Sequence, residues 1–233
     1  MVSFTSWIRS AVPSSLIARM TTLRSHWRRM REIRKGPEHM FTHIYRTNAW
    51  RGAESLSGKG SDLHNTVNIR SVLPEILAEL GVRSMLDAPC GDFHWMQHVD
   101  LEGVTYIGGD IVAPLVVENQ RRFGRPGREF RHLDITKDDI PKVDLIFCRD
   151  CLFHLSFADI DAALRNFRRS GSTYFMTTTL DFSGPNVDIP TGEFRPLSLL
   201  IAPFRFPPPL RLVREEESAK HMGVWRLADI AGR

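Results

Sequence analysis

The stretch Val82-Arg83-Ser84-Met85-Leu86-Asp87-Ala88-Pro89-Cys90-Gly91-Asp92-Phe93-His94-Trp95-Met96 constrains this chain more than any other. Apolar residues run into an aspartate and stop at a Pro-Cys-Gly turn, and aromatic and Met residues then resume at helical spacing. That pattern reads as a buried parallel strand over 83–87, a loop at its carboxyl end, and a helix over 93–99. In open α/β sheets the ligand crevice lies outside the carboxyl ends of the strands, so Asp87 and Gly91 face it. A second acidic strand end, Asp110, follows about 20 residues later, a spacing suited to a nucleoside-bearing cofactor.

The same alternation repeats downstream. Strands are predicted at 83–87, 105–110, 129–134, 143–148 and 173–178, and helices at 93–99, 113–123 and 156–168. Such β-α repetition makes a parallel, doubly wound sheet. Two last strands, 210–215 and 222–227, suit an antiparallel pair. Between them and the fifth strand, residues 181–209 are rich in Pro, Gly and Phe and cannot be regular throughout. A loop of that length is more often functional than decorative. With 233 residues, 42% of them hydrophobic, the chain can build one full α/β domain (38–233) and an N-terminal extension (1–37).

The extension has its own character. Leu16, Met20, Leu23, Trp27 and Met30 lie on one helical stripe within 14–35, with arginines off it and Gly36-Pro37 placed to stop the helix. A basic amphipathic helix can lie on an anionic membrane surface or dock a partner, and an Arg- and Ser-rich start also fits an organelle transit peptide. A loosely packed, solvated extension is the plainer reading. The first 35 residues hold eight Arg/Lys against one Glu, so the remaining body is mildly acidic despite a net charge of +4. An acidic body argues against nucleic acid as partner. Three cysteines form no disulfide framework and point to a reducing, cytoplasmic setting. Oligomeric state is not encoded in any of these patterns.

Asp62–Leu80 reads as a helix with Pro74 restarting a turn and Gly81 closing it. The preceding segment, Glu54-Ser55-Leu56-Ser57-Gly58-Lys59-Gly60-Ser61, invites a nucleotide P-loop reading, but Gly60 follows Lys59 where Ser or Thr is required. A loop that closes over a ligand fits better, with backbone N–H groups at 57–61 available to an anion.

Asp87, Asp110 and Asp134 each end an apolar strand. Any one alone would be an ordinary cap or turn residue. Together they suit a cofactor: Asp110 for the ribose hydroxyls, Asp134 with Ile135 for the adenine, and Asp87 beside Ala88–Gly91 for the charged end. After the fourth strand, Cys148-Arg149-Asp150-Cys151-Leu152-Phe153-His154-Leu155 enters the crevice. Asp150 or His154 can take a proton from an attacking hydroxyl; alternatively, His154 braces the following helix. Cys148, Cys151 and His154 lack a second ligand pair nearby, so no metal site is expected. Trp50, Glu54, Ser57 and Arg195, with Asn186, Asp188 and Glu193 of the late loop, are candidates for an acceptor pocket.

These residues resemble a known family. Leu86-Asp87-Ala88-Pro89-Cys90-Gly91, Tyr106-Ile107-Gly108-Gly109-Asp110 and Leu133-Asp134-Ile135 are similar to motifs of class I S-adenosylmethionine-dependent methyltransferases. Glu54–Ser61 and Cys148–Leu155 resemble segments of uncharacterised bacterial members. The resemblance implies an α/β, Rossmann-like, doubly wound seven-stranded sheet, mostly parallel with its last strand antiparallel, plus N-terminal helices. It implies S-adenosyl-L-methionine as cofactor, held by Asp87, Ala88, Pro89, Gly91, Asp110, Ile111, Asp134, Ile135 and Arg149. Pro89 and Phe93 depart from the pattern: Pro89 removes a backbone donor, and Phe93 is expected to crowd the methionine moiety.

The implied reaction is in-line methyl transfer from a sulfonium. No Asn-Pro-Pro-Tyr-type segment follows the fourth strand, which disfavours amino methylation of bases or glutamine. O-methylation of a small-molecule or carbohydrate-like acceptor remains by elimination. Two other classes compete. A partner-binding protein on a degenerate fold would explain Pro89 and Phe93. An NAD(P)-dependent oxidoreductase would need a Gly-x-Gly-x-x-Gly turn, and this turn has only Gly91.

Overall fold

The computed structural model describes residues 35–215 and 219–230. The basic helix expected over 14–35 lies outside the described residues save for Lys35. Among the described residues, four α-helices, α1 (Pro37–Thr47), α2 (Val67–Glu79), α3 (Ala113–Phe123) and α4 (Phe157–Arg169), accompany seven strands. The strands are β1 (Ser84–Asp87), β2 (Thr105–Asp110), β3 (Arg128–His132), β4 (Leu145–Cys148), β5 (Tyr174–Leu180), β6 (Arg211–Arg214) and β7 (Lys220–Arg226). They form one sheet in the order β3-β2-β1-β4-β5-β7-β6. Its first five members are parallel, and β7 runs antiparallel to both β5 and β6. None of the described helices is long and apolar enough to cross a membrane.

Strand periodicity builds two cores. Along β1 and β4, Leu86, Ile146 and Cys148 point to one face with α4, whereas Met85, Leu145 and Phe147 point to the other with α2 and α3. Helix α4 shows why its sequence folds locally: the Ser156 side chain caps Asp159 N–H, and Ile160, Ala163, Leu164 and Phe167 bury one stripe. Strand order reverses between β1 and β4, paired in register at Asp87 and Phe147. The crevice at this switch point is where the acidic strand ends meet.

Several boundaries differ from the sequence expectation. Pro37 opens α1, since proline is tolerated in the first turn where N–H groups are unpaired anyway. Residues 59–66 form two short 3₁₀ turns, and α2 begins only at Val67 and continues through Pro74. No α-helix follows β1. Phe93 adopts φ +58°, which an α-helix cannot accommodate, and a single 3₁₀ turn at Met96–His98 takes its place. The 181–209 segment contains no strand or helix, yet Leu197, Leu199, Phe204 and Phe206 are buried in the core.

Candidate active site

The crevice holds a cleft with an empty volume of about 1160 Å³, part of it open to solvent. Strand ends supply its floor. Asp87 ends β1 and Asp110 ends β2, both reaching the cleft; Asp134 lies two residues beyond β3 and also lines it. The turn between β1 and the 3₁₀ segment supplies Pro89 and Gly91. Gly91 sits at φ +53°, and a Cβ there would lie 2.3 Å from the Ser57 hydroxyl, so only glycine lets the overlying loop approach this closely.

Each carboxylate is held differently. Asp110 accepts the Gly91 N–H at 3.0 Å and the Val112 N–H at 2.9 Å, one on each oxygen. Burial nevertheless dominates and raises its pKa to about 6. Asp87 accepts the Tyr106 hydroxyl at 2.6 Å, and burial outweighs that bond to raise its pKa to about 7. Burial also opposes ionisation of Asp134, but bonds from Thr136 and Lys137 win and hold it below the usual carboxylate range. Ile111, Leu115, Leu133 and Ile135 form apolar walls beside Asp110 and Asp134.

Two segments roof the cleft. Pro37, Phe41 and Tyr45, spaced four apart along α1, present one helical face to it. The 55–61 loop is fastened to the turn below by Asp92, whose carboxylate accepts from Ser55 Oγ, Leu56 N–H and Ser57 Oγ. The same loop is held from the other side by Arg149, which donates to the Gly60 carbonyl at 2.9 Å.

Arg149 and Asp150 belong to a buried ion cluster. Arg149 pairs bidentately with Glu215 at 2.6 and 3.2 Å, and Lys220 bonds both Glu215 and Asp150 at 2.9 Å. Asp150 also lies 3.2 Å from Arg149. Burial works against its charge, but the two cations overcome it and keep the carboxyl below its ordinary range. His154 is held in another way. Its Nδ1 bonds the Glu193 carbonyl at 2.8 Å and must donate to it, leaving the lone pair on Nε2. Its ring stacks on Trp50 at 5.2 Å and touches Phe153 at 4.7 Å. Burial lowers its pKa, more than the Glu193 bond restores, so the ring is neutral at pH 7.

Of the residues expected from sequence, the cleft gathers Asp87, Pro89, Gly91, Asp110, Ile111, Asp134, Ile135, Arg149, Asp150, His154, Trp50 and Ser57. Four of the residues singled out from sequence lie outside the cleft lining. Ala88 is fully buried and packs in the sheet core rather than lining the cleft. Glu54 is tied to Leu63 N–H and His94 outside the cleft, where it shapes the loop. Arg195 is buried beneath the floor, donating to the Leu152 carbonyl and lying over Phe157, and burial lowers its pKa to about 10. Phe93 does not crowd the site: its ring turns into an aromatic cluster with Tyr106, Phe123 and Phe130.

In the late loop, Asn186 braces Ser198 and Ala202, Asp188 caps the Phe157 N–H, and Glu193 reaches the site through its carbonyl. Sequence reasoning missed Asp92, Trp95 and the α1 face. The 37–41–45 spacing was a readable signal for that face; the Asp92 contact had none.

No protein-family model and no curated protein sequence matches the chain. Solved structures do. The methyltransferase domain of bacterial CtHen1-CN aligns over 71% of this chain and all of that one, with 12% identity and a TM-score of 0.53. The Burkholderia thailandensis 1,6-didemethyltoxoflavin N1-methyltransferase, bound to 1,6-didemethyltoxoflavin and S-adenosylhomocysteine, aligns over 79% of this chain and 89% of that one, with 17% identity and a TM-score of 0.52. An S-adenosylmethionine-dependent methyltransferase from Clostridium acetobutylicum matches over only 51% of its own length, at a TM-score of 0.42. The chain thus has the Rossmann-like, seven-stranded fold shared by S-adenosylmethionine-dependent methyltransferases.

Proposed function

We propose that this protein is an S-adenosylmethionine-dependent methyltransferase acting on a hydroxyl group of a small-molecule acceptor. The observation that carries this reading is Asp110, which ends β2 inside the cleft with Gly91 bonded to one oxygen and Val112 to the other. Each carboxylate oxygen has a further lone pair, so Asp110 can accept both ribose hydroxyls without giving up either bond.

The rest of the cleft fits the same cofactor. Ile111, Leu133 and Ile135 offer an apolar slot for adenine, with Asp134 at its edge. The cofactor carries two cationic centres, a sulfonium and an ammonium. Asp87, Asp92 and Asp110 in the cleft outnumber its one guanidinium, Arg149, as such a ligand requires. When bound, the cofactor supplies an electrophilic methyl group. Phe93 turns into the core and does not line the cleft, so of the two departures from the family pattern only Pro89 faces it.

The protein's own contribution is alignment and a proton acceptor. His154 is the better base: its Nε2 lone pair is free of the Glu193 bond, and its lowered pKa keeps it neutral. Asp150 is engaged with Lys220, Arg149 and Thr178, which makes it a positioning residue for the β4 end. Calorimetric titration of S-adenosylmethionine and S-adenosylhomocysteine into wild type and Asp110→Ala tests the reading. Micromolar binding that the variant loses supports it. Folded wild type that binds neither overturns it.

A further inference from the structure

The acceptor end of the cleft has a chemistry of its own, distinct from the carboxylate-rich cofactor end. Around His154 the walls are Trp50, Phe41, Leu56 and Leu155. Trp50 lies nearly parallel to the imidazole, 25° between planes, and Phe41 tilts against Trp50 at 6.3 Å. At the rim, Phe194 is 61% exposed although its ring is 5.8 Å from His154 and 5.3 Å from Phe153. Leu56, on the 55–61 loop, is likewise exposed while facing the cleft. Phe194, left open beside a candidate base, and Leu56, left open on the cleft lining, mark a surface that a ligand would cover.

Tyr45, Ser57 and Ser61 also line the cleft, but the side chains packed on His154 itself are rings: Trp50, Phe153 and Phe194. His154 offers one nitrogen, because the other is committed to Glu193. Asp159 lines the same end but already accepts from the Thr191 hydroxyl. A sugar brings several hydroxyls, and each one buried without a partner weakens binding. A flat ring with one or two hydroxyls matches the inventory, offering its faces to Trp50 and Phe41 and its O–H to Nε2.

Proton affinity points the same way. A phenol has a pKa of about 10, whereas an aliphatic hydroxyl lies several units higher. An imidazole made less basic by burial is a workable acceptor for the first and a poor one for the second. Resting on the methyltransferase reading above, we infer that the acceptor is an aromatic hydroxyl compound rather than a carbohydrate, with Trp50 as the residue that selects it. In the transfer step the phenolic oxygen forms a bond to the methyl carbon. The carbon–sulfur bond breaks with its electron pair returning to sulfur, and the phenolic proton passes to His154 Nε2. Aryl methyl ether, neutral thioether and one proton result.

The test uses the full chain loaded with S-adenosylhomocysteine, so that cofactor and acceptor binding are read separately. Saturation-transfer NMR compares 1-naphthol with methyl α-D-glucopyranoside. We expect naphthol to bind and the glucoside not to bind. Trp50→Ala should weaken naphthol by about tenfold, with Trp50→Phe largely restoring it. Calorimetric affinity for S-adenosylhomocysteine should stay within about twofold in both variants, which also certifies their folding. Glucoside binding without naphthol binding, or neither probe binding to protein loaded with S-adenosylhomocysteine, overturns the aromatic assignment and leaves the cofactor reading intact. Failure of S-adenosylhomocysteine itself to bind overturns both.

Discussion

The Asp92 carboxylate accepts the Ser55 hydroxyl at 2.9 and 3.0 Å, across 37 residues of chain, and through that contact the 55–61 loop is latched to the turn beneath the cleft. Leu56 N–H adds a third bond at 2.8 Å, and Asp92 N–H returns one to Ser57 Oγ at 3.0 Å. Loop and turn are thus joined through Asp92 on one side, as the loop is joined to Arg149 on the other.

Asp92→Ala removes the acceptor for the Ser55 hydroxyl and the Leu56 N–H while leaving the Asp92 N–H and the cleft floor in place. The loop should loosen, and affinity for S-adenosylhomocysteine should fall by about tenfold, close to 1.4 kcal/mol, a modest yield for charge-assisted bonds at a partly exposed site. Calorimetry beside a thermal melt checks this. Unchanged affinity would show that the latch has no part in binding.

His154→Gln keeps a polar side chain but not the base. General-base catalysis is worth roughly 10²–10⁴-fold, so kcat should drop by that order with KM little changed. In wild type, burial places the His154 ionisation below the ordinary histidine value, and the rate should be flat around neutrality and fall on the acid side. A profile whose acid limb survives in His154→Gln would assign the base elsewhere.

The cofactor-free protein should lose stability as pH rises. Asp87 and Asp110 have folded pKa values of about 7 and about 6, both above the ordinary aspartate value of 3.8. Between the unfolded and folded values the native state binds more protons, so their contribution is complete below the unfolded value and disappears as pH passes 6 and 7. Melting curves from pH 5 to 8 should show a falling Tm, with a shallower fall in Asp87→Asn. S-adenosylmethionine, whose sulfonium and ammonium exceed its one carboxylate, favours the ionised carboxylates, so its affinity should strengthen over the same interval.

Arg149 and Lys220 balance Asp150 and Glu215 in the buried cluster. Arg149→Met leaves Glu215, with a side chain 1% exposed, short of its bidentate partner. Removing one member of a buried pair costs about 3–5 kcal/mol. Arg149→Met combined with Glu215→Met should cost less than Arg149→Met alone, because it removes both charges together. Urea unfolding of wild type, Arg149→Met, Glu215→Met and the double variant decides the matter, and strict additivity would mean the pair is not coupled.

Legibility from sequence followed the range of the physics. Asp87 and Asp110 were readable because an apolar run that stops at an aspartate announces a buried strand and its end. The helix expected after β1 was misread because His94-Trp95-Met96 has helical spacing, while Phe93 instead satisfies an aromatic cluster at positive φ. Glu54 and Arg195 looked like pocket residues by type and neighbourhood. Their side chains were claimed by Leu63 and His94 in one case and by Leu152 in the other.

By itself, then, the sequence determined the sheet, its seven strands and the crevice at their carboxyl ends, because burial and strand period are properties of short windows. Only the tertiary structure decided that Asp92 holds the loop, that Glu193 sets the tautomer of His154 through its carbonyl, and that Phe93 leaves the cleft open. Those outcomes depend on contacts between residues dozens apart and on side-chain directions from irregular backbone. Close packing of the whole chain fixes both, and no local pattern records them.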